Sequence, residues 1–375
     1  MADINNSFYT QVIDEWSLSH NQLVSWKELV KQQTNGSFFL DYDWLNLWWY
    51  TFSQPDDALK LILIYNEEVL VAILPFYLKK GKILYFIGTG EDEKSEVCTE
   101  YLDIIIANEY KDILLNIISN LLLKEFKKTQ QIMFVNVLHD SYAVQLIERI
   151  KKHYLVTKKS VGVRYIINLP SSYLSYEAMR SKSFISQANR KKRKFEKLGG
   201  KFIHANNLAG ANAMFDQLTT LHNARWSSVG LNGAFQDERF LNFHRAFIKI
   251  LFQNNQLSLT ALTINNQVVG VIYNIIANET CYFYQIGIEI DDFQNLSLGT
   301  ILHLSEIKGS ISQGYKHYDF MKGEKIKSYK QNFTDTTYEM LNLHLYKKGI
   351  RAYLKNIMRQ VIQKIKDITK WKINY

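Results

Sequence analysis

The period of the hydrophobic pattern changes along the chain, and the changes mark its elements. In the second half, three β-rich runs, Leu257 to Ile264, Val268 to Ile276 and Thr280 to Ile288, are separated only by Asn265-Asn266 and Asn278-Glu279. Short apolar runs joined by two-residue polar turns predict a three-stranded antiparallel meander. A loop from Asp291 to Ser297 follows, then helical spacing from Leu298 to Ser312, a stop at Gly314 and a strand around Tyr318-Asp319-Phe320. Helical spacing also marks Asn212 to Arg225 and Glu238 to Phe252 upstream.

The first half repeats this arrangement. Shifted by 199 residues, Asn66 falls on Asn265, Val69 on Val268, Ile73 on Ile272, Tyr85 on Tyr284 and Ile87-Gly88 on Ile286-Gly287, with no gap over 23 positions. A helical run, Asp112 to Phe126, and a strand, Ile132 to Val137, complete the first copy. Any two meanders share apolar positions, so chance similarity is one account. The other is two tandem lobes of one α/β fold (an α+β mixed sheet), each a mostly antiparallel mixed sheet flanked by helices. Pro170-Ser171-Ser172, after the strand-like run Val161 to Leu169, marks a boundary: residues 1–170, residues 171–346 and a basic tail, 347–375.

Composition narrows the class. With 375 residues, 47% hydrophobic, 14% aromatic and three prolines, the chain is globular and has room for two cores. The first thirty residues lack a signal peptide's basic start and apolar stretch, and no apolar run approaches the ~20 residues that span a bilayer. The expected compartment is the cytoplasm. Cys98 and Cys281 are isolated and the nine histidines are scattered without metal-type spacing, so neither a disulfide nor a metal is expected.

The net charge of +9 is concentrated at the end, where nine basic residues from Lys347 to Lys372 face Asp367 alone. Ile350, Leu354, Ile357, Val361, Ile365 and Ile368 keep helical spacing there, predicting an amphipathic helix over 347–371. It suits either packing on its own lobe or peripheral contact with an anionic membrane face. A second basic helix, Phe184 to Leu198, contains Arg190-Lys191-Lys192-Arg193-Lys194 and reads as a solvated surface helix; no specific nucleic-acid partner is expected.

Candidate chemistry lies in Gln294, Asn295, Leu296, Ser297, Leu298, Gly299 and Thr300, between a strand and a helix. A helix start offers unpaired N–H groups and the positive end of the dipole, so diphosphates bind there. The loop resembles the Gln/Arg-x-x-Gly-x-Gly/Ala loop with which GNAT proteins hold coenzyme A, with Ser297 at the middle glycine. In the first copy, Gly88-Thr89-Gly90 runs into Glu91-Asp92-Glu93 and no glycine follows before Phe126, so no such loop exists there.

Wider features resemble the cellulose-biosynthesis (CelD/BcsL) branch of the GNAT acetyltransferases over roughly Phe38 to Tyr346. They are the Trp44, Trp48, Trp49 run, Arg225-Trp226 followed by Gly230, Gly233 and Phe235, the loop above, and Asp319-Phe320-Met321-Lys322-Gly323 with Tyr329-Lys330. The resemblance implies tandem GNAT-like lobes and an N-acyltransferase that uses acetyl-CoA or another acyl-CoA as co-substrate and acylates a small-molecule amine or amino sugar. Its second lobe would hold the acyl-CoA, and its first would be a scaffold or acceptor-binding lobe.

Amine attack on a thioester needs a base, an oxyanion donor and an acid for the departing thiolate. Asp319 and Glu324 are candidate bases, and Asp319 equally suits bracing the loop around Gly323. Tyr329 is a candidate acid or a packed phenol. The strand containing Val269 and Val271 would supply the backbone donor. Arg225, Trp226, Tyr284 and Lys330 are candidate acceptor or phosphate contacts, or structural anchors. Two other functions stay open: a Fem-type transferase that draws aminoacyl groups from tRNA, whose usual long helical arm is not evident, and a catalytically silent binding module.

Overall fold

In the computed structural model, residues 7–33, 37–127, 129–228, 230–289 and 292–348 are described; the predicted tail helix lies outside them from residue 349 on. The first half runs β1 (Phe8–Ile13), α1 (His20–Gln32), α2 (Tyr42–Phe52), β2 (Ala58–Asn66), β3 (Val69–Lys79), β4 (Ile83–Phe86), β5 (Ile105–Ile106), α3 (Lys111–Glu125), β6 (Gln131–Leu138), α4 (Tyr142–Ile150) and β7 (Tyr154–Asn168). The second runs α5 (Tyr173–Ala178), α6 (Lys182–Lys197), β8 (Lys201–His204), α7 (Leu208–Ser228), α8 (Glu238–Gln253), β9 (Leu257–Ile264), β10 (Gln267–Ala277), β11 (Thr280–Ile288), α9 (Leu298–Ser312), β12 (His317–Gly323) and β13 (Thr337–Lys347). The order strand, two helices, meander, helix, strand occurs twice, as the offset of 199 implied.

Local chemistry explains the tight connections. Asn265 and Asn266 sit at φ +50° and +65°, and Asn278 and Glu279 at +48° and +57°. Two consecutive left-handed residues match the twist of a hairpin, and asparagine tolerates that conformation better than most side chains. Asp237 caps α8 by accepting from the Phe240 amide.

The lobes interleave more deeply than a boundary at Pro170 suggests. All strands join one sheet in the order β1-β2-β3-β4-β6-β13-β7-β12-β11-β10-β9-β8, with β5 beside β3. At its centre β7 and β13 pair antiparallel from Tyr154–Lys347 to Tyr165–Thr337. β7, from the first half, pairs on its other side with β12 of the second; β13, from the second half, pairs with β6 of the first. Each lobe therefore completes its sheet with the other's last strand, so residues 1–170 and 171–346 are not separate structural units.

Among the described residues parallel pairing occurs at two equivalent places, β4 with β6 and β11 with β12, and each is short. β12 bonds β11 only through Thr280, Cys281 and Tyr282. Beyond Tyr282 the strands diverge, and a bulge at Tyr284, where the register with β10 shifts, turns β11 further away. Met321 on β12 and Asn136 on β6, at φ +60° and +53°, are left-handed residues inside strands of both lobes.

An aromatic core fastens α2 to α8 across the lobes. Fully buried Trp44 lies 4.8 Å from the Phe243 ring and 4.9 Å from that of Phe247. Among the described residues no helix is long and apolar enough to cross a membrane.

Candidate active site

The divergence of β11 from β12 opens a slot, and α9 begins beside it. Ser297, the N-cap, has φ +51° and ψ +54°, and its side chain does not cap the helix. That left-handed conformation is why glycine is the favoured residue there; serine bears it at a modest cost. Leu296 and Leu298 are buried and anchor the turn, Gln294 and Asn295 are exposed, and Gly299 and Thr300 lie partly open. A Cβ at Gly299 would meet only Ile286 Cδ1, at 3.8 Å. Packing within the chain therefore does not require glycine at that position.

The basic helix contributes directly to this loop. Phe184, Ala188, Lys191 and Phe195 form one stripe of α6, with Ala188 and Phe195 buried. Lys191 is thus aimed inward and donates to the Ser297 hydroxyl. Arg190, Arg193 and Lys194 stay exposed, as a surface helix implies.

The expected backbone donor needs correction. Val269 and Val271 lie on β10, where Val271 pairs with Ala261 on one side and Gly287 on the other. The Val269 carbonyl accepts from Glu289 N–H at 2.9 Å. The strand with an open edge is β11, from Phe283 to Ile288.

Beside that edge, at Gln285, is a cleft of about 600 Å³ with walls from both lobes. α7 forms one wall, packed so closely that a Cβ on Gly287 would stand 2.6 Å from the Leu218 carbonyl oxygen. Trp226, expected as a substrate contact, is 40% exposed there, and its indole N–H donates to His222 Nε2 at 2.9 Å. Burial pushes His222 down to about 4, so at neutral pH the imidazole is uncharged and can accept that bond.

The opposite wall is the segment after β4, carrying Glu93, Lys94, Glu96 and Cys98. It is fastened from several sides. The Glu91 carboxylate accepts from the Val97 amide (3.0 Å) and the Trp48 indole (3.2 Å); burial raises it to about 7. Arg239 of α8 donates to Asp92 at 3.2 Å and to Ser95 at 2.9 Å. Tyr284 donates to the Val97 carbonyl at 2.6 Å and is 7% exposed. Tyr284 is therefore a brace for this wall, not the substrate contact expected of it. Cys98 is exposed beside the cleft.

Two further expectations are corrected by burial. Asp319 is 0% exposed, paired with Arg164 Nε at 2.7 Å and accepting from the Met321 amide at 2.7 Å. A carboxylate locked in that way does not reach an acceptor amine. Lys330 donates to the Phe320 and Lys322 carbonyls, both at 2.6 Å, and burial lowers it to about 8. It clamps the β12 bulge and does not extend toward a phosphate. Glu324 is exposed just past β12. Tyr329 is 51% exposed; partial burial raises its phenol to about 12, against the pull of the Arg225 charge. Arg225 itself is exposed.

The matching place in the first lobe, between β4 and β6, is a hollow of about 340 Å³ bordered by Glu91, Glu93 and Glu96. Carboxylates there oppose phosphate. Lys191, Glu93, Glu96 and His222 were not among the candidate site residues read from the sequence. One signal could have exposed the acidic wall: the offset of 199 falls to 187 at α3 and α9, which is twelve additional residues before α3.

The fold and slot define a two-lobed α/β protein built on one mixed sheet. Residues 182–331 match the family model described as the acetyltransferase (GNAT) domain, and this match supports an acyltransferase. No curated protein matches the chain by sequence. Among solved structures it is similar to FemX, at 10% identity and TM-score 0.63 over 92% of this chain and 99% of the other. It is also similar to a tandem GNAT protein from the clavulanic acid biosynthesis pathway, at 9% identity and TM-score 0.50 over 91% and 99%. A third is the C-terminal domain of an Agrobacterium fabrum protein described as a lysylphosphatidylglycerol synthetase, at 9% identity and TM-score 0.52 over 91% and 96%. At such identities the likeness is one of fold.

Proposed function

We propose that the protein transfers an acyl group from acyl-CoA, acetyl-CoA being the simplest, to an amine of a small molecule or sugar, as the cellulose-biosynthesis-type resemblance implies. The observation that carries this reading is the slot between β11 and β12 beside the start of α9. Lys191 and the Ser297 hydroxyl stand at its phosphate end, and Gly299 leaves backbone open where a side chain would fit. The pyrophosphate lies over the amides at Gly299 and Thr300. The pantetheine follows the slot toward the cleft.

The residues take the following roles. An amide on the open edge of β11 donates to the carbonyl oxygen as it becomes an oxyanion. Glu324, the exposed one of the two candidate carboxylates, accepts the amine proton. The Tyr329 phenol, raised to about 12, keeps its proton at neutral pH and gives it to the departing thiolate. Trp226 and Arg225 face the acceptor. The tail beyond residue 348, if helical, is the candidate for peripheral membrane contact.

Calorimetry with acetyl-CoA tests the reading. Micromolar binding is expected, and Gly299→Asp, which sets a carboxylate against the phosphates, abolishes it while leaving the fold intact. Undiminished affinity in the folded variant refutes the site. The similarity to FemX over 92% of the chain favours a second reading, Fem-type transfer from aminoacyl-tRNA. Binding of charged tRNA but not acetyl-CoA decides for it, and binding of neither points to a silent module.

A further inference from the structure

The two walls of the cleft beside Gln285 differ in chemistry. From the second lobe come Trp226 and Leu231, 40% and 54% exposed, an apolar platform. Its indole is fixed by His222, which borders the cleft, is 4% exposed, and has an Nδ1 without a hydrogen-bond partner of normal geometry. Asp237 and Lys94 also border the cleft; acidic groups outnumber the one ammonium there, because the first lobe sets two carboxylates at its wall, Glu93 and Glu96. Neither has an ion-pair partner among the described residues, and the wall that carries them is tied down by Glu91, Arg239 and Tyr284. Like charges held together beside a concave, partly apolar surface concentrate the field there and attract a counter-charge.

We infer that this cleft is a subsite for a cationic amine carried on a ring or another flat apolar face, with Glu93 and Glu96 of the first lobe as specificity-determining residues. The inference rests on the acyltransferase reading above, in which the cleft receives the acceptor. An alkyl ammonium, protonated at neutral pH, gains attraction from the carboxylates while its flat face covers the indole. The lobes then divide the work. The second holds the acyl donor, and the first, having lost the phosphate loop, uses the longer segment in its place to select the acceptor. The same carboxylates border the hollow between β4 and β6, but Trp226 borders only the cleft, which separates the two locations experimentally.

Calorimetry on the full chain with glucosamine and benzylamine, against glucose, benzyl alcohol and benzoate, tests this. At least one amine is expected to bind saturably, with its neutral or anionic counterparts bound at least fivefold more weakly. The Glu93→Gln/Glu96→Gln double variant weakens that amine by roughly tenfold, an effect that shrinks in high salt. Trp226→Ala weakens it as well, and circular dichroism verifies that each variant is folded. Absence of amine binding, equal binding of the neutral analogues, or wild-type affinity in the double variant overturns the inference. So does wild-type affinity in Trp226→Ala, which places the amine in the other hollow. Acetyl-CoA binding, measured separately, tells failure of the donor reading from failure of this one.

Discussion

Replacing Asp319 with alanine strips the centre of the sheet of the buried carboxylate paired with Arg164. Arg164 is 7% exposed, with its guanidinium 4.6 Å over the Tyr101 ring. Burial opposes the guanidinium charge, and Asp319 overcomes that opposition. Without the carboxylate, a cation remains among apolar and aromatic groups, and the Met321 amide loses an acceptor that stands at 2.7 Å. Breaking a buried pair from one side costs about 3–5 kcal/mol, and the orphaned amide about 1 kcal/mol more. A loss of roughly 4–6 kcal/mol is therefore expected. It is read from urea unfolding followed by both tryptophan fluorescence and far-UV circular dichroism, with coincident transitions required. Arg164→Met with Asp319→Leu removes both charges, and much of the stability returns. A loss below about 1 kcal/mol in Asp319→Ala, or a double variant no better than the single, refutes the reasoning.

Gly287→Ala pushes a methyl against the Leu218 carbonyl oxygen and Leu221 Cβ, at 2.6 and 2.9 Å. It should cost about 1–3 kcal/mol and, by shifting α7 with His222 and Trp226, weaken amine binding more than acetyl-CoA binding, both measurable by calorimetry. Residues 1–170 expressed alone leave β6 and β7 without β13; soluble monomeric fragment by size-exclusion chromatography is not expected, and co-expression of residues 171–348 should restore it. Burial raises the Glu91 carboxyl in the folded protein to about 7, from an ordinary value near 4.5. The folded state binds the extra proton between those values, so Glu91 contributes a stability that falls as pH rises from about 4.5 to 7. Glu91→Gln should therefore gain stability relative to wild type over that interval, as urea midpoints at pH 5 and pH 8 would register.

Local and repetitive features were legible in the amino-acid sequence. Asn265-Asn266 and Asn278-Glu279 define their turns through backbone preferences that need no partner, and Leu298 to Ser312 carries its helix in its own spacing. The alignment of Asn66 with Asn265 and Tyr85 with Tyr284 exposed the two lobes, because equivalent elements bury equivalent positions. The turn from Gln294 to Thr300 that leads into α9 was legible too, because a strand-to-helix turn is a local feature; its role as a phosphate loop is the proposal made above.

Only the tertiary structure decided what depends on which surfaces meet. Nothing in the strand patterns of 154–168 or 337–347 says that each completes the other lobe's sheet, because a buried strand looks the same whichever neighbour it bonds. Asp319, Tyr284 and Lys330 had the right chemistry for a site, yet contacts from Arg164, Val97 and the β12 carbonyls turned them inward, and burial is a property of the assembled fold. Glu93 and Glu96 became a wall because twelve additional residues are folded against the other lobe. Sequence gave that segment its charge, and packing gave the charge its direction.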